Sequence, residues 1–130
     1  MTLFFDRSVG KKIPATLKRL RCPINIERHG ELFLPDAPDD EWLPVVGERG
    51  WLVAGFDHSY HKPRNEAELK AIKNFEIGVF YLWGPEASMW DSFTVFVRAF
   101  PKMVAKAETT PRPFIYRIRK NGALHTVTLS

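Results

Sequence analysis

Apolar positions fall in short blocks separated by amphipathic stretches. Leu3-Phe4-Phe5 is a continuous run that stops at Asp6, which predicts a buried strand. From Lys11 to Leu20 the apolar residues Ile13, Leu17 and Leu20 follow helical spacing, with Pro14 tolerable in the first turn. Pro23 to Glu27, with Ile24 and Ile26 alternating, predicts a second strand. A polar connection containing Gly30, Pro35 and Pro38 leads to a helix opening at Asp39, carrying Trp42, Val45 and Val46 and ending at Gly47 or Gly50. Trp51 to Ala54 predicts a third strand, ending before Phe56-Asp57. Residues 58–65 read as a polar loop, with Asn65 capping a helix that carries Ala67, Leu69 and Ile72. Gly78 to Trp83 is continuously apolar, as expected of a strand buried on both faces. Ser88 should cap a long helix whose core stripe is Met89, Phe93, Phe96, Val97, Phe100, Met103 and Val104, kinked at Pro101. Phe114 to Arg119 and Leu124 to Leu129 flank Asn121-Gly122, predicting a hairpin on a type I′ turn.

Strands that alternate with helices predict an α/β fold with a mainly parallel central sheet of four or more strands. The hairpin, at about residues 113–129, closes a single domain spanning residues 1–130. With the second strand on one side of the first and the third on the other, a crevice opens between strands one and three. Ligands of open α/β sheets bind at such a point, beyond the carboxyl ends of the strands. Asp6 and Asp57 each follow an apolar strand there and are expected to face each other across the crevice. Asp39, at a helix start, would close the third side.

The chain is 130 residues long, 45% apolar and 13% aromatic, with 10 Phe and 4 Trp, enough for a packed core. No stretch approaches the ~20 apolar residues of a membrane span. No secretory leader is visible, because the opening apolar residues meet Asp6 and Arg7 at once. One cysteine, Cys22, rules out a disulfide framework and a cysteine-based zinc site. A cytoplasmic protein is therefore expected. Charge is segregated: residues 1–30 carry seven Lys/Arg against two acids, residues 31–97 five against twelve, and residues 98–130 seven against one. An acidic centre between basic flanks changes the picture from plain polyanion binding to a carboxylate site with phosphate-attracting surroundings.

Carboxylates brought within a few ångströms repel unless a proton or a cation neutralises them. Mg²⁺ and Mn²⁺ favour oxygen ligands, often a few carboxylates plus water. Such ions polarise phosphodiesters and stabilise leaving oxygens. Asp6, Asp39 and Asp57 therefore suit metal-assisted phosphodiester hydrolysis, with Lys11, Lys12, Lys62 and Arg64 to hold phosphates. Each acid also has a structural reading: a turn or ion pair for Asp6, a helix cap for Asp39, and a loop turn for Asp57. Asp40 and Glu41 suit the helix dipole. His58 and His61 have metal-like spacing without further ligands, and no glycine-rich phosphate loop, dinucleotide fingerprint or serine elbow is present.

Leu3-Phe4-Phe5-Asp6-Arg7-Ser8 with Lys12-Ile13-Pro14, then Pro35-Asp36-Ala37-Pro38-Asp39-Asp40-Glu41-Trp42-Leu43-Pro44, then Gly50-Trp51-Leu52-Val53-Ala54-Gly55-Phe56-Asp57, resemble in order and spacing the acid-bearing segments of PIN-like domains. The resemblance runs over roughly residues 3–119 and is nearest to the compact group related to VapC-type toxins of toxin–antitoxin pairs. It implies a three-layer α/β domain and a Mg²⁺- or Mn²⁺-dependent ribonuclease held inactive by a protein antitoxin. By position, Asp6 matches the first-strand acid, Asp39 (or Asp40, one residue on) the helix-start acid, and Asp57 the acid after the third strand. Two departures stand out. Residues 11–27 offer only Glu27 where fuller PIN domains have a further acid, and Gly55 stands where a Thr or Ser commonly precedes the last acid by two residues.

Two expectations follow. One is a metal-dependent endoribonuclease, the toxin of a pair, with RNA and an antitoxin as partners. The other is a catalytically silent PIN-like module that binds RNA or protein through its basic, aromatic C-terminal part. A homodimer is a third arrangement compatible with either.

Overall fold

The computed structural model describes residues 1–57 and 66–129. Six strands form one sheet: β1 (Thr2–Phe5), β2 (Asn25–Arg28), β3 (Leu52–Phe56), β4 (Gly78–Leu82), β5 (Phe114–Ile118) and β6 (Leu124–Thr126). Their order is β2-β1-β3-β4-β5-β6, with every pairing parallel except β5–β6. The chain thus leaves β1 to one side for β2 and to the other for β3, which creates the expected switch point. Five helices connect the strands: α1 (Lys12–Arg19), α2 (His29–Leu32), α3 (Asp39–Glu48), α4 (Glu66–Asn74) and α5 (Met89–Thr109).

Side-chain alternation along the strands divides the core between two faces. On one, Leu3, Phe5, Ala54, Phe80 and Tyr116 meet Ile13 and Leu17 of α1 and Val95, Phe96, Ala99 and Met103 of α5. On the other, Phe4, Val53, Val79, Tyr81 and Ile115 meet Trp42, Leu43 and Val46 of α3 and Ile72 of α4. The result is a three-layer α/β fold. No helix among the described residues is long and apolar enough to cross a membrane.

Several sequence expectations are corrected. The connection before Pro35 contains the short helix α2. β3 continues through Gly55 and Phe56 instead of stopping at Ala54. α5 buries Ser92, Val95, Phe96, Ala99 and Met103, so its core face is rotated from the stripe read in the sequence, and Met89 and Val97 are exposed. In the hairpin only Gly122 has a positive φ, and the Gly122 amide donates to the Arg119 carbonyl at 2.8 Å. That is a turn closed by one left-handed glycine, not a type I′ turn, which needs two positive φ values. The Asn65 cap lies outside the described residues.

His29, at the start of α2, is 1% exposed. Its ring centroid lies 6.3 Å from Phe4, 5.5 Å from Phe33 and 5.8 Å from Trp42. Neither ring nitrogen has a hydrogen-bond partner among the described residues. Burial, reinforced by nearby Arg7 and opposed by Asp39, pushes its pKa below the ordinary 6.5. The unfolded chain therefore takes up a proton at a higher pH than the folded one, and stability is lost as pH falls through about 6.5. His29→Phe should remove this slope. Its stability advantage over the wild type in urea should grow between about pH 7.5 and about pH 5.5; parallel pH profiles would show that the buried ring is not the cause.

Candidate active site at the strand ends

The site grows from one row of residues across the sheet. Phe5 pairs with Ala54, and the next amide, that of Asp6, donates to the Ala54 carbonyl at 3.0 Å. Gly55 pairs with Tyr81, and Tyr81 with Arg117. Alternation puts Asp6, Gly55, Tyr81 and Arg117 on the face covered by α3 and α4. Gly55 is required in this row, because a Cβ there would collide with Asp6 Oδ2. The missing side chain leaves a cradle into which the Asp6 carboxylate folds.

That carboxylate is held at one oxygen. Asp6 Oδ1 accepts from the Ser8 amide at 2.9 Å and from the Ser8 hydroxyl, and Ser8 Oγ in turn accepts from the Phe56 amide at 3.0 Å. Ser8 therefore ties Asp6 to β3. Burial pushes the Asp6 pKa above the ordinary 3.8; the Ser8 bonds oppose this, and the charges of Glu68 and Asp39 add to it. All three acids line one cavity of about 50 Å³, together with Trp42, Gly55 and Tyr81.

Asp39 is the first residue of α3. Pro38 occupies the cap position and no side chain caps the helix, so the cap role expected of Asp39 is not seen. Instead Asp39 Oδ1 accepts from Trp42 Nε1 at 3.1 Å and lies 3.8 Å from the Arg7 guanidinium. Arg7 also donates to the carbonyls of Pro35 at 3.1 Å and Ala37 at 3.0 Å, which fixes the approach to α3 against the end of β1. Glu68 comes from the first turn of α4, and its Oε1 accepts from the Tyr81 hydroxyl at 2.6 Å. Neither Glu68 nor Tyr81 was marked by the sequence. Glu68 looks like an acid favouring a helix dipole, and Tyr81 like one more residue in an apolar strand.

Asp57, expected to face Asp6 across the crevice, follows β3 on the same face as Gly55. Asp57 is 8% exposed, does not line the cavity, and pairs with Arg117 Nε at 2.6 Å. Its amide donates to the Leu82 carbonyl, which turns it toward β4 and β5. Of the expected trio, then, Asp6 and Asp39 share the cavity, and Glu68 is its third acid. Asp40 is exposed beside Asp39. Lys11 and Lys12 are exposed at the start of α1. Lys62, Arg64, His58 and His61 lie outside the described residues.

A profile of the PIN-like domain family matches residues 1–84. No curated protein and no solved structure matches the chain. The chain belongs to the PIN-like domain family, whose members are generally nucleases and typically use divalent metal ions. The matched stretch contains the whole cavity; Arg117 lies beyond it.

The donors present fit a hard divalent cation. They are oxygens only, and the Asp6 carboxylate, folded over Gly55, is poorly hydrated, with the charges of Glu68 and Asp39 adding to the cost of its ionisation. Among the described residues no three acid, His or Cys side chains stand ready as one ligand set. The fit is therefore to an ion of the Mg²⁺ kind, held by one or two carboxylates with water filling the other positions.

Because the folded Asp6 keeps its proton to a higher pH than the unfolded one, it favours folding below about 3.8 and disfavours it as pH rises through its raised value. Asp6→Asn should therefore be more stable than the wild type at neutral pH, with the gain vanishing on acidification. Equal neutral-pH midpoints in urea would contradict this account of the site. Gly55→Ala should cost about 1–3 kcal/mol by overpacking the cradle.

Proposed function

We propose that the protein is a Mg²⁺- or Mn²⁺-dependent endoribonuclease acting in the cytoplasm, the toxin of a toxin–antitoxin pair. The observation that carries the nuclease reading is the convergence of Asp6, Asp39 and Glu68 on one cavity at the carboxyl ends of β1 and β3. Membership of a nuclease-type family supports it; the toxin and its antitoxin rest on the resemblance read in the sequence alone.

Asp6 is the principal holding group, with Asp39 and Glu68 on either side. A divalent cation held there would supply charge neutralisation at the phosphate and a lowered pKa for water. The chain's own residues do the rest. Ser8 locks the Asp6 carboxylate in one orientation. Tyr81 holds Glu68 toward the cavity, where its carboxylate can take a proton from water. Arg7 keeps Asp39 in place while spending its charge on two carbonyls. Lys11 and Lys12 attract the RNA backbone toward the same end of the sheet, with Lys62 and Arg64 assigned the same role.

The second reading, a silent RNA- or protein-binding module, is favoured by one observation: Asp57, an acid expected in the catalytic set, is engaged by Arg117. A mixed RNA pool incubated with EDTA, Mg²⁺ or Mn²⁺ separates the two. Metal-dependent cleavage should fall about a hundredfold or more in Asp6→Asn and in Glu68→Gln. Tyr81→Phe should lose about tenfold, since it only orients Glu68. Absence of cleavage by a folded wild type, with no thermal stabilisation by either ion, would leave the silent module. Inhibition by the product of an adjacent gene tests the toxin assignment.

A further inference from the structure

α1 and α5 lie side by side on the face of the sheet opposite the acid cavity, and their first turns enclose a groove of about 150 Å³. It is lined by Lys12, Ile13 and Thr16 from α1 and by Met89, Trp90 and Phe93 from α5. Trp90 is 79% exposed and Met89 39%, although both stand beside a well-filled core. An indole left in water at a helix start is not explained by packing.

We propose that this groove is a nucleobase subsite for single-stranded RNA, taking a nucleotide that flanks the one cleaved. The inference rests on the ribonuclease reading for its substrate, but not for its location. Three features select this occupant. Among the described residues Lys12 is the only charged one lining the groove and Lys11 is exposed beside it; Asp91 follows Trp90 on α5, but the first turn of α1 has no acid and no side-chain cap, so the α1 side attracts a phosphate. The flat faces of Trp90 and Phe93 suit stacking of a base, which tolerates any sequence because every base has a π-face. The groove is also too small for the several anchors that a docked helix inserts, whereas one planar ring needs a single slot.

Position completes the case. α1 follows β1 and α5 follows β4, so both helices begin at the strand ends where Asp6 stands. Residues 7–11 join Asp6 to Lys12 around the rim of the sheet. An RNA strand passing over that rim places one nucleotide in the groove and a neighbouring phosphate on the acid side.

The test is binding of a short, mixed-sequence, fluorescently labelled single-stranded RNA to the full chain in EDTA, where no cleavage occurs. Trp90→Ala, whose exposure makes it a benign substitution for folding, should weaken binding about five- to hundredfold. Lys12→Gln should weaken it uniformly across sequences and lower the salt slope by about one. Photocrosslinking with a thiolated base should map to the peptide carrying Trp90 and Phe93. Unchanged affinity in folded Trp90→Ala overturns the proposal, including the case where that variant loses self-association, which would assign the groove to a second copy of the chain. Metal-dependent cleavage with Trp90-independent binding overturns the subsite and leaves the nuclease standing. Trp90-dependent binding without cleavage under any metal supports the subsite and removes the nuclease.

Discussion

At the end of β1 a carboxylate is folded back over the neighbouring strand, and that strand has no side chain to stop it. The contact between Asp6 and Gly55 is the constraint from which the rest of the site follows. Parallel pairing of β1 with β3 fixes which residues meet, and alternation puts both on the α3/α4 face. A Thr or Ser at position 55 would drive the carboxylate outward into water. With glycine there, Asp6 is half-buried, its charge is poorly hydrated, and the Ser8 bonds offset only part of that cost. The same burial makes the group responsive to what else enters the cavity, whether a proton or a cation.

Each acid beside Asp6 accepts a hydrogen bond from a neutral donor among the described residues. Trp42 holds Asp39 by an indole N–H, and Tyr81 holds Glu68 by a hydroxyl. Arg7 stands near Asp39 at 3.8 Å, but directs hydrogen bonds to two carbonyls. These two bonds orient the carboxylates without themselves adding a positive charge. A lysine in the position of Trp42 or Tyr81 would fix the same carboxylates and remove their use to a cation.

Much of this architecture was legible in the sequence. The alternation of apolar runs with helical spacing specified the α/β order, and runs such as Gly78 to Trp83 announced strands covered on both faces. Asp6 and Asp39 were legible because each ends or begins an element at the switch point. Three things were hidden. Register was one: only the pairing of Gly55 with Tyr81 makes either residue part of the site, and no local pattern encodes it. The second was helix rotation, since α5 carries apolar residues around most of its circumference and the spacing fitted more than one core face. The third was partner choice. Asp57 ends an apolar strand just as Asp6 does, yet its environment is decided by Arg117, sixty positions away in sequence. Gly55, which looked like a gap in the family pattern, is the residue that admits Asp6.

The Asp57–Arg117 pair belongs to a part of the chain outside the stretch that carries the family match. Residues 85–130 add α5, β5 and β6, and with β5 comes a guanidinium on the same face as Tyr81. Asp57 is nearly buried, so its charge needs compensation, and the ion pair at 2.6 Å supplies it. This splits the row at the strand ends into two electrostatic halves. Toward α3, Asp6, Asp39 and Glu68 line one cavity; toward β5, Asp57 pairs with Arg117. Tyr81 stands at the division, paired in register with Gly55 on one side and Arg117 on the other, and its hydroxyl is committed to Glu68. The C-terminal extension therefore does more than widen the sheet. Through Arg117 it engages the acid that follows β3, beside the cavity that the other three acids line.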